Sequence, residues 1–170
     1  TNMRICLLST LGSYVLGNML ARFSTNNIKV DSVLIDSKSL SKRELAIEKF
    51  RTQGKLKDIP VDKYSKQIPF KHLEHHCSET AVNWIKSRKI DLVINCGTPR
   101  ILKQNILTAP KLGILNCHPG LLPNFKGCTC VEWAIYLDEK IGNTVHFMTE
   151  SIDEGPIVIK EAVKCKSIDN

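Results

Sequence analysis

Short apolar runs separated by helix-period stretches constrain this chain more than any other feature. Arg4 to Ser9 is a strand-like run, and Tyr14 to Phe23 follows with apolar residues at Val15, Leu16, Met19, Leu20 and Phe23. That spacing is the period of a helix with one buried face. Val30 to Ile35 reads as a second strand. Ser41, with Glu44 three residues later, is an N-cap signature that opens a helix near Lys42 to Arg51. Gly54 to Lys66 is polar, contains Pro60 and reads as a loop, and Gln67 to Phe70 reads as a brief strand. A helix is expected from about Glu74 to Ser87. A strand over Asp91 to Cys96 ends at Gly97-Thr98-Pro99, and after a short helical or irregular piece Gly113 to Cys117 forms another. Pro119, Gly120, Pro123 and Gly127 make an extended loop before a helix from about Thr129 to Leu137. Thr144 to Met148 and Ile157 to Val163 alternate as strands do. The β-α-β order through residue 118 predicts an α/β fold, an open, mostly parallel sheet with antiparallel pairing late in the chain. In such sheets ligands bind beyond the carboxyl ends of strands. Loops beginning at Ser9, Cys96 and Asn116 are therefore expected to gather there.

At 170 residues the chain fits one domain, residues 1–170. Its 42% hydrophobic and 24% charged residues exclude an intrinsically disordered chain. No apolar run approaches the roughly 18–20 residues of a membrane span, so no membrane partner is expected. The start runs straight into a strand and lacks a signal peptide's cleavage site. Seven cysteines cannot all pair within the chain, and no Cys-x-x-Cys occurs. Reduced thiols in a cytoplasmic protein are the expectation, with Cys6, Cys96, Cys117 and Cys165 in apolar strand-like runs and Cys117 in the core. Cys128-x-Cys130 reads as packing at a helix start. The net charge is +7, and the ten Lys or Arg against four Asp or Glu between Lys38 and Lys71 supply +6 of it. With acidic residues interrupting the block and no aromatics to stack on bases, it reads as a solvated helical face and loop rather than a nucleic-acid surface. His72, His75, His76 and Cys77 are too loosely spaced for a metal site; they read as surface, and no metal is expected. Trp133 and Tyr136 read as core or rim residues of their helix, with Trp133 able to line an acceptor cleft.

The densest polar cluster is Asn116-Cys117-His118-Pro119-Gly120-Leu121-Leu122-Pro123. Asn116 and His118 stand two apart and point the same way if the strand persists. A strand-terminal His can carry a proton near neutral pH. A nearby Asn amide can donate to a carbonyl oxygen that gains charge during acyl transfer. Later, Asp153 in Thr149-Glu150-Ser151-Ile152-Asp153-Glu154-Gly155-Pro156 can orient the imidazole or hold a water. Equally, such a His can be structural, and Asp153 can simply shape a turn before Gly155.

The segment from Gly113 to Gly127 resembles the signature loop of the tetrahydrofolate-dependent formyltransferase family. Gly142 to Ile157 resembles that family's second signature, in the right order, with His118 and Asp153 35 positions apart. The likeness extends more loosely from about Met3 to Lys164. It implies a Rossmann-like sheet with helices on both faces and a catalytic set of Asn116, His118 and Asp153. It also implies 10-formyltetrahydrofolate as formyl donor, an amine acceptor, and no metal or covalent enzyme intermediate. Cys96-Gly97-Thr98-Pro99-Arg100-Ile101-Leu102 resembles the loop lining the family's pterin pocket. The implied donor contacts are Cys96, Gly97, Arg100, Ile101 and Leu102, mainly through backbone, with Met148, Thr149, Glu150 and Ile152 as a second wall. Gly12 and Ser13 stand where the family's glycinamide enzymes bind a ribose phosphate, and with Thr98 and Pro99 they are the implied substrate contacts. Tyr14 and Thr10 depart from that phosphate-loop pattern.

The acceptor implied is a small amine, nucleotide- or phosphate-bearing, rather than nucleic acid. Val131-Glu132-Trp133-Ala134-Ile135 and Gly142-Asn143-Thr144-Val145-His146 look most like the sugar formyltransferase branch, whose acceptor is a nucleotide-linked amino sugar. Glycinamide ribonucleotide ranks second. Methionyl-tRNA ranks third, because the C-terminal barrel that normally helps bind tRNA finds no room after the last strand. The expectation is a catalytic core, either minimal or cut near Asn170, with a homodimer among the oligomeric options. A hydrolase that passes formyl to water, using the same three residues, is an alternative, as is a non-catalytic folate-binding module.

Overall fold

The computed structural model describes residues 3–53, 55 and 58–164. The chain divides into two compact units, Thr1–Gly113 and Ile114–Asn170.

In the first unit β1 (Ile5–Thr10), β2 (Ser32–Asp36), β3 (Phe70–Leu73) and β4 (Leu92–Asn95) pair in parallel in the order β3-β2-β1-β4. Helices α1 (Tyr14–Thr25), α2 (Lys42–Thr52), α3 (Asp62–Ser65), α4 (Glu79–Ser87) and α5 (Gln104–Leu107) belong to the same unit. Every residue of β1 and β2 is buried. Their near-continuous apolar runs suit parallel strands covered on both faces. Leu7, Leu16, Leu20, Val33, Ile35 and Cys96 share one core cluster. Gly17 lets α1 approach closely, because a Cβ there would run into the Ile59 carbonyl. Burial pushes the Cys6 and Cys96 thiols up to about 12, so both stay protonated at neutral pH.

Three differences from the sequence expectation exceed two residues. The segment predicted as a loop contains α3. The N–H groups of Gln67 and Ile68 then bond back to the Tyr64 carbonyl instead of entering the ladder. The third strand therefore begins at Phe70, opposite Val33, and ends at Leu73, opposite Asp36. The helix predicted from Glu74 starts at Glu79, because the Ser78 hydroxyl caps it by accepting from the Ala81 N–H. The Ser41–Glu44 capping box of α2 forms as read from the sequence. Leu45, Ile47 and Phe50 of that basic helix are exposed.

In the second unit β5 (Ile114–His118), β6 (Gly142–Phe147) and β7 (Ile157–Ala162) pair antiparallel, and α6 (Cys130–Tyr136) precedes β6. A parallel α/β unit followed by a late antiparallel one is the mostly parallel α/β class expected. Some side-chain expectations fail here. Cys117 is exposed rather than core, since alternation turns it away from the buried His118 and that opposite face is open at this position. Of the core and rim placements expected for Trp133 and Tyr136, the core one fails: both are exposed, packed edge to face with ring centroids 5.8 Å apart. On α6 only Cys130 and Ala134 are buried, which places the two aromatics on the outer face. All six residues of β7 are exposed, so its alternating pattern reports no buried face. Cys165 lies outside the described residues, as do Gly54, Leu56 and Lys57 of the predicted loop and basic block. Among the described residues no helix is long and apolar enough to cross a membrane.

Candidate active site

The register of β5 against β6 builds the site of the second unit. Asn116 stands opposite His146 and His118 opposite Thr144. Directly opposed residues share a face of the sheet, so these four side chains lie on one side and Cys117 on the other. The Thr144 hydroxyl donates to the Gly120 carbonyl (2.7 Å) and accepts from the Leu122 N–H (3.1 Å), which pins the loop leaving β5. Gly120 passes so close to the imidazole that a Cβ would sit 2.9 Å from His118 Nε2.

His118, Asp153, His146 and Asn116 form one connected cluster. Asp153 Oδ2 lies 3.4 Å from His118 Nδ1, and its Oδ1 lies 3.5 Å from His146 Nε2. The Gly127 N–H donates to Asp153 Oδ2 at 2.8 Å, tying the two signature segments together. His118 Nε2 lies 2.7 Å from the Phe125 carbonyl, which can only accept. Nε2 therefore carries a hydrogen, and Nδ1 faces the carboxylate. By the same reasoning His146 Nδ1 donates to the Phe147 carbonyl at 2.9 Å. Its Nε2 then accepts from the Asn116 amide at 3.3 Å, fixing which end of the carboxamide is the donor. Cys130 Sγ sits 3.3 Å from His118 Nε2, and burial raises its thiol above the usual range, so it is a neutral neighbour. Such a cluster can polarise a carbonyl through an amide N–H and move one proton through a carboxylate-backed imidazole.

His146, Cys130 and the Phe125 carbonyl were not among the expected site groups. Strand alternation in Thr144-Val145-His146 hinted at the first. The residue opposite it is set by strand register, which no local pattern reports.

The remaining predicted site residues are distributed between the units. In the second, Met148 donates its N–H to the Ile114 carbonyl (2.7 Å), Thr149 donates its hydroxyl to the Ser151 carbonyl, and Glu150 and Ile152 are exposed. In the first, Gly12 turns β1 into α1 at φ +79°, a conformation that favours glycine. The Ser9 and Ser13 hydroxyls both donate to the Cys96 carbonyl, at 2.9 and 3.2 Å, so the loops after β1 and β4 meet as expected. Gly97 and Thr98 donate their N–H groups to Asn95 Oδ1. Leu102 is buried, while Ile101 is exposed and Pro99 half-buried. Arg100 forms a two-pronged ion pair with Asp36 (Nε to Oδ2 3.0 Å, Nη2 to Oδ1 2.8 Å).

His76 corrects the sequence expectation of a surface histidine: it is fully buried. Its Nε2 donates to the Leu34 carbonyl at 3.0 Å, and its Nδ1 accepts from the Thr98 hydroxyl at 2.6 Å. Its own cluster neighbours His72 and Cys77 are not drawn into that network; Cys77 Sγ instead meets the Ile101 carbonyl.

Burial holds the His76 imidazole below its ordinary value of 6.5, with Arg100 and His75 adding to the fall and the Leu34 carbonyl and Asp36 opposing it. A depressed folded-state value means that the unfolded chain binds the proton first as pH falls. Stability is therefore complete above pH 6.5 and declines as pH drops from there toward the folded value. Burial opposes the ionised forms of Asp31 and Asp36, but hydrogen bonds from Arg88 and Arg4, and from Arg100, hold both below 3.8. Their contribution persists to lower pH and is lost in a second, more acidic step. Denaturant midpoints between pH 7 and pH 5 are expected to fall for the wild type and to stay flatter for His76→Gln. Parallel curves would show that His76 does not drive the first step.

These features coincide with a known family. The formyl transferase family model matches residues 3–170. The chain is 31% identical over 125 residues to the methionyl-tRNA formyltransferase of Prochlorococcus marinus (strain MIT 9215), covering 73% of this chain and 35% of that protein. It is 35% identical over 89 residues to the bifunctional polymyxin resistance protein ArnA of Wigglesworthia glossinidia brevipalpis, covering 52% and 14%. The chain thus spans well under half the length of these curated relatives. Among solved structures, glycinamide ribonucleotide transformylase 1 from Symbiobacterium toebii matches at TM-score 0.65 and 29% identity, covering 95% of this chain and 73% of that one. The phosphoribosylglycinamide formyltransferase of Anaplasma phagocytophilum matches at 0.69 and 26%, covering 100% and 76%. The chain belongs to the formyl transferase family, a family of enzymes.

Proposed function

We propose that this chain transfers a formyl group from 10-formyltetrahydrofolate to a primary amine, and that the amine belongs to a nucleotide-linked amino sugar. The observation that carries the reading is the cluster in which buried His118 and His146 meet the part-buried Asn116 and Asp153 in a chain of this family. The donor, when bound, supplies an activated formyl carbonyl. Asn116, oriented by His146, donates an amide N–H toward the formyl oxygen as it gains charge. His118 Nδ1 takes the proton that the attacking amine must lose and returns it to the departing nitrogen. Asp153 stabilises the imidazolium in between. In the loop at residues 96–102, exposed Ile101 offers an apolar surface suited to a flat donor ring. Donor contacts by Cys96, Gly97, Arg100, Leu102, Met148, Thr149 and Glu150 belong to the same proposal.

A nucleotide-bearing acceptor is favoured by a surface groove of about 430 Å³ lined by Thr129, Glu132, Trp133 and Tyr136. Two exposed aromatic rings offer a nucleobase a stacking face. The first turn of α1, after Gly12 and Ser13, carries no acidic residue and no side-chain cap, which suits an anionic group nearby.

The test is folate release from 10-formyltetrahydrofolate in the presence of a nucleotide-linked amino sugar, glycinamide ribonucleotide, methionyl-tRNA or no amine. Release dependent on the amino sugar is expected. Release with another amine moves the acceptor, release without any amine replaces transfer by hydrolysis, and no release in any arm overturns the reading.

A further inference from the structure

Asp36 closes β2 with a carboxylate that is fully buried and fully used. Oδ1 accepts from the Lys38 N–H (2.9 Å) and from Arg100 Nη2; Oδ2 accepts from the His76 N–H (3.0 Å) and from Arg100 Nε. That set satisfies the four acceptor positions of a carboxylate. His76, whose backbone Asp36 holds, is locked at its ring by the Leu34 carbonyl on one side. On the other side it receives the Thr98 hydroxyl hydrogen. Two separate chemical links thus run from the end of β2 to the segment 96–102: a bidentate ion pair to Arg100 and a hydrogen bond to Thr98.

Neither link is explained by core packing. The Arg100 side chain is one-third exposed and would be well solvated without a partner. Burying a carboxylate carries a desolvation cost, which here is offset by filling every acceptor position rather than by apolar packing. What the pairing does locally is immobilise the side chains of Thr98 and Arg100. The backbone N–H groups of Gly97 and Thr98 are meanwhile tied to Asn95 Oδ1, at 3.0 and 2.8 Å. A loop that binds through backbone groups needs its backbone held from behind, because misplacement by about 1 Å can cost on the order of 100-fold in rate.

We propose that Asp36 and His76 are positioning residues for the donor loop, latching Arg100 and Thr98 so that the backbone of residues 96–102 is presented in one conformation. The inference rests on the reading of that loop as the donor loop. It also reassigns the Thr98 side chain, which serves the latch rather than the substrate.

Two variants test it, Asp36→Asn, which keeps the shape and removes the charge, and Thr98→Val, which removes only the hydroxyl and leaves the buried core intact. For both, KM for 10-formyltetrahydrofolate is expected to rise about 10- to 100-fold. The kcat at saturating donor and KM for the amine should stay within about threefold in Asp36→Asn. Amide hydrogen exchange at residues 97–102, measured without any folate, is expected to speed up in both variants. Arg100→Lys should fall between wild type and Asp36→Asn, since lysine keeps the charge but not the two-pronged geometry. Unchanged exchange overturns the latch whatever the kinetics. Faster exchange with an unchanged donor KM overturns its role in donor binding. A rise confined to the amine KM in Thr98→Val would return Thr98 to the acceptor. If the wild-type chain neither turns over nor binds 5-formyltetrahydrofolate by calorimetry, the proposed function fails and this inference fails with it. A wild type that binds the folate, with variants that bind it equally well, sinks the inference alone.

Discussion

Glutamine or alanine in place of His118 is expected to lower formyl transfer by about 10²–10⁴-fold, with circular dichroism unchanged. The two substitutions separate proton transfer from architecture. His118 is buried, and its Nε2–H donates to the Phe125 carbonyl, so part of its role is to hold the loop leaving β5. A glutamine amide can keep a donor near that carbonyl but cannot cycle a proton at the position of Nδ1. If His118→Gln folds and is inactive, the lost function is the proton carried between the amine and the leaving nitrogen. If it turns over at the wild-type rate, the imidazole is not the proton carrier. An alanine variant that unfolds while the glutamine variant stays active would return His118 to the structural reading that the sequence left open.

Gly155→Ala is expected to cost more stability than any comparable glycine change in the second signature, and to take activity with it. Gly155 is not in the left-handed region, so backbone freedom is not the reason for glycine there. The reason is proximity, since an added Cβ would overlap the Phe147 carbonyl group and press Thr149 Cγ2 at 3.3 Å. Phe147 is also the residue whose N–H bonds the Pro156 carbonyl, closing the base of the loop that carries Asp153. Neither backbone can yield without opening that closure. Overpacking of this kind costs roughly 1–3 kcal/mol or more, or a fall of about 2–4 °C in Tm per kcal/mol at this size. Asp153 would shift from His118 Nδ1 and lose its bond from the Gly127 N–H. Gly127→Ala is the contrast. That site is open, and only its φ of +79° penalises a side chain, by about 1 kcal/mol. Thermal melts and folate release measured on both variants check the ordering. Equal losses would mean that conformational freedom, not close approach, dictates these glycines.

Local patterns were legible wherever one interaction dominates. The apolar runs of β1 and β2 announced buried parallel strands, because such strands need apolar residues on both faces. Ser41 and Glu44 announced a helix start, because that box is made within four residues. The misplaced boundaries have the opposite character. Phe70–Leu73 is a strand because Tyr64 captures two N–H groups upstream and Val33 waits opposite. Glu79 begins α4 because Ser78 caps it while His76 is drawn to Asp36. Exposure was the least legible property. Cys117, Trp133, Tyr136 and β7 all carry residues that a hydropathy pattern sends inward, yet the fold leaves them outside.

Asn116, His118 and Asp153 were proposed as a set from the two signature-like segments, and the structure brings their side chains into one cluster. How these side chains are arranged was decided only in three dimensions. The antiparallel register of β5 and β6 brings His146 against Asn116, and the Phe125 carbonyl fixes which nitrogen of His118 carries the donated hydrogen. The parallel pairing of β2 beside β3 and β1 brings Asp36 and His76 to the back of the loop at residues 96–102. Residue identity follows from chemistry that each side chain carries by itself. Orientation, tautomer and burial follow from partners 7 to 64 positions away in the chain, and only folding supplies those.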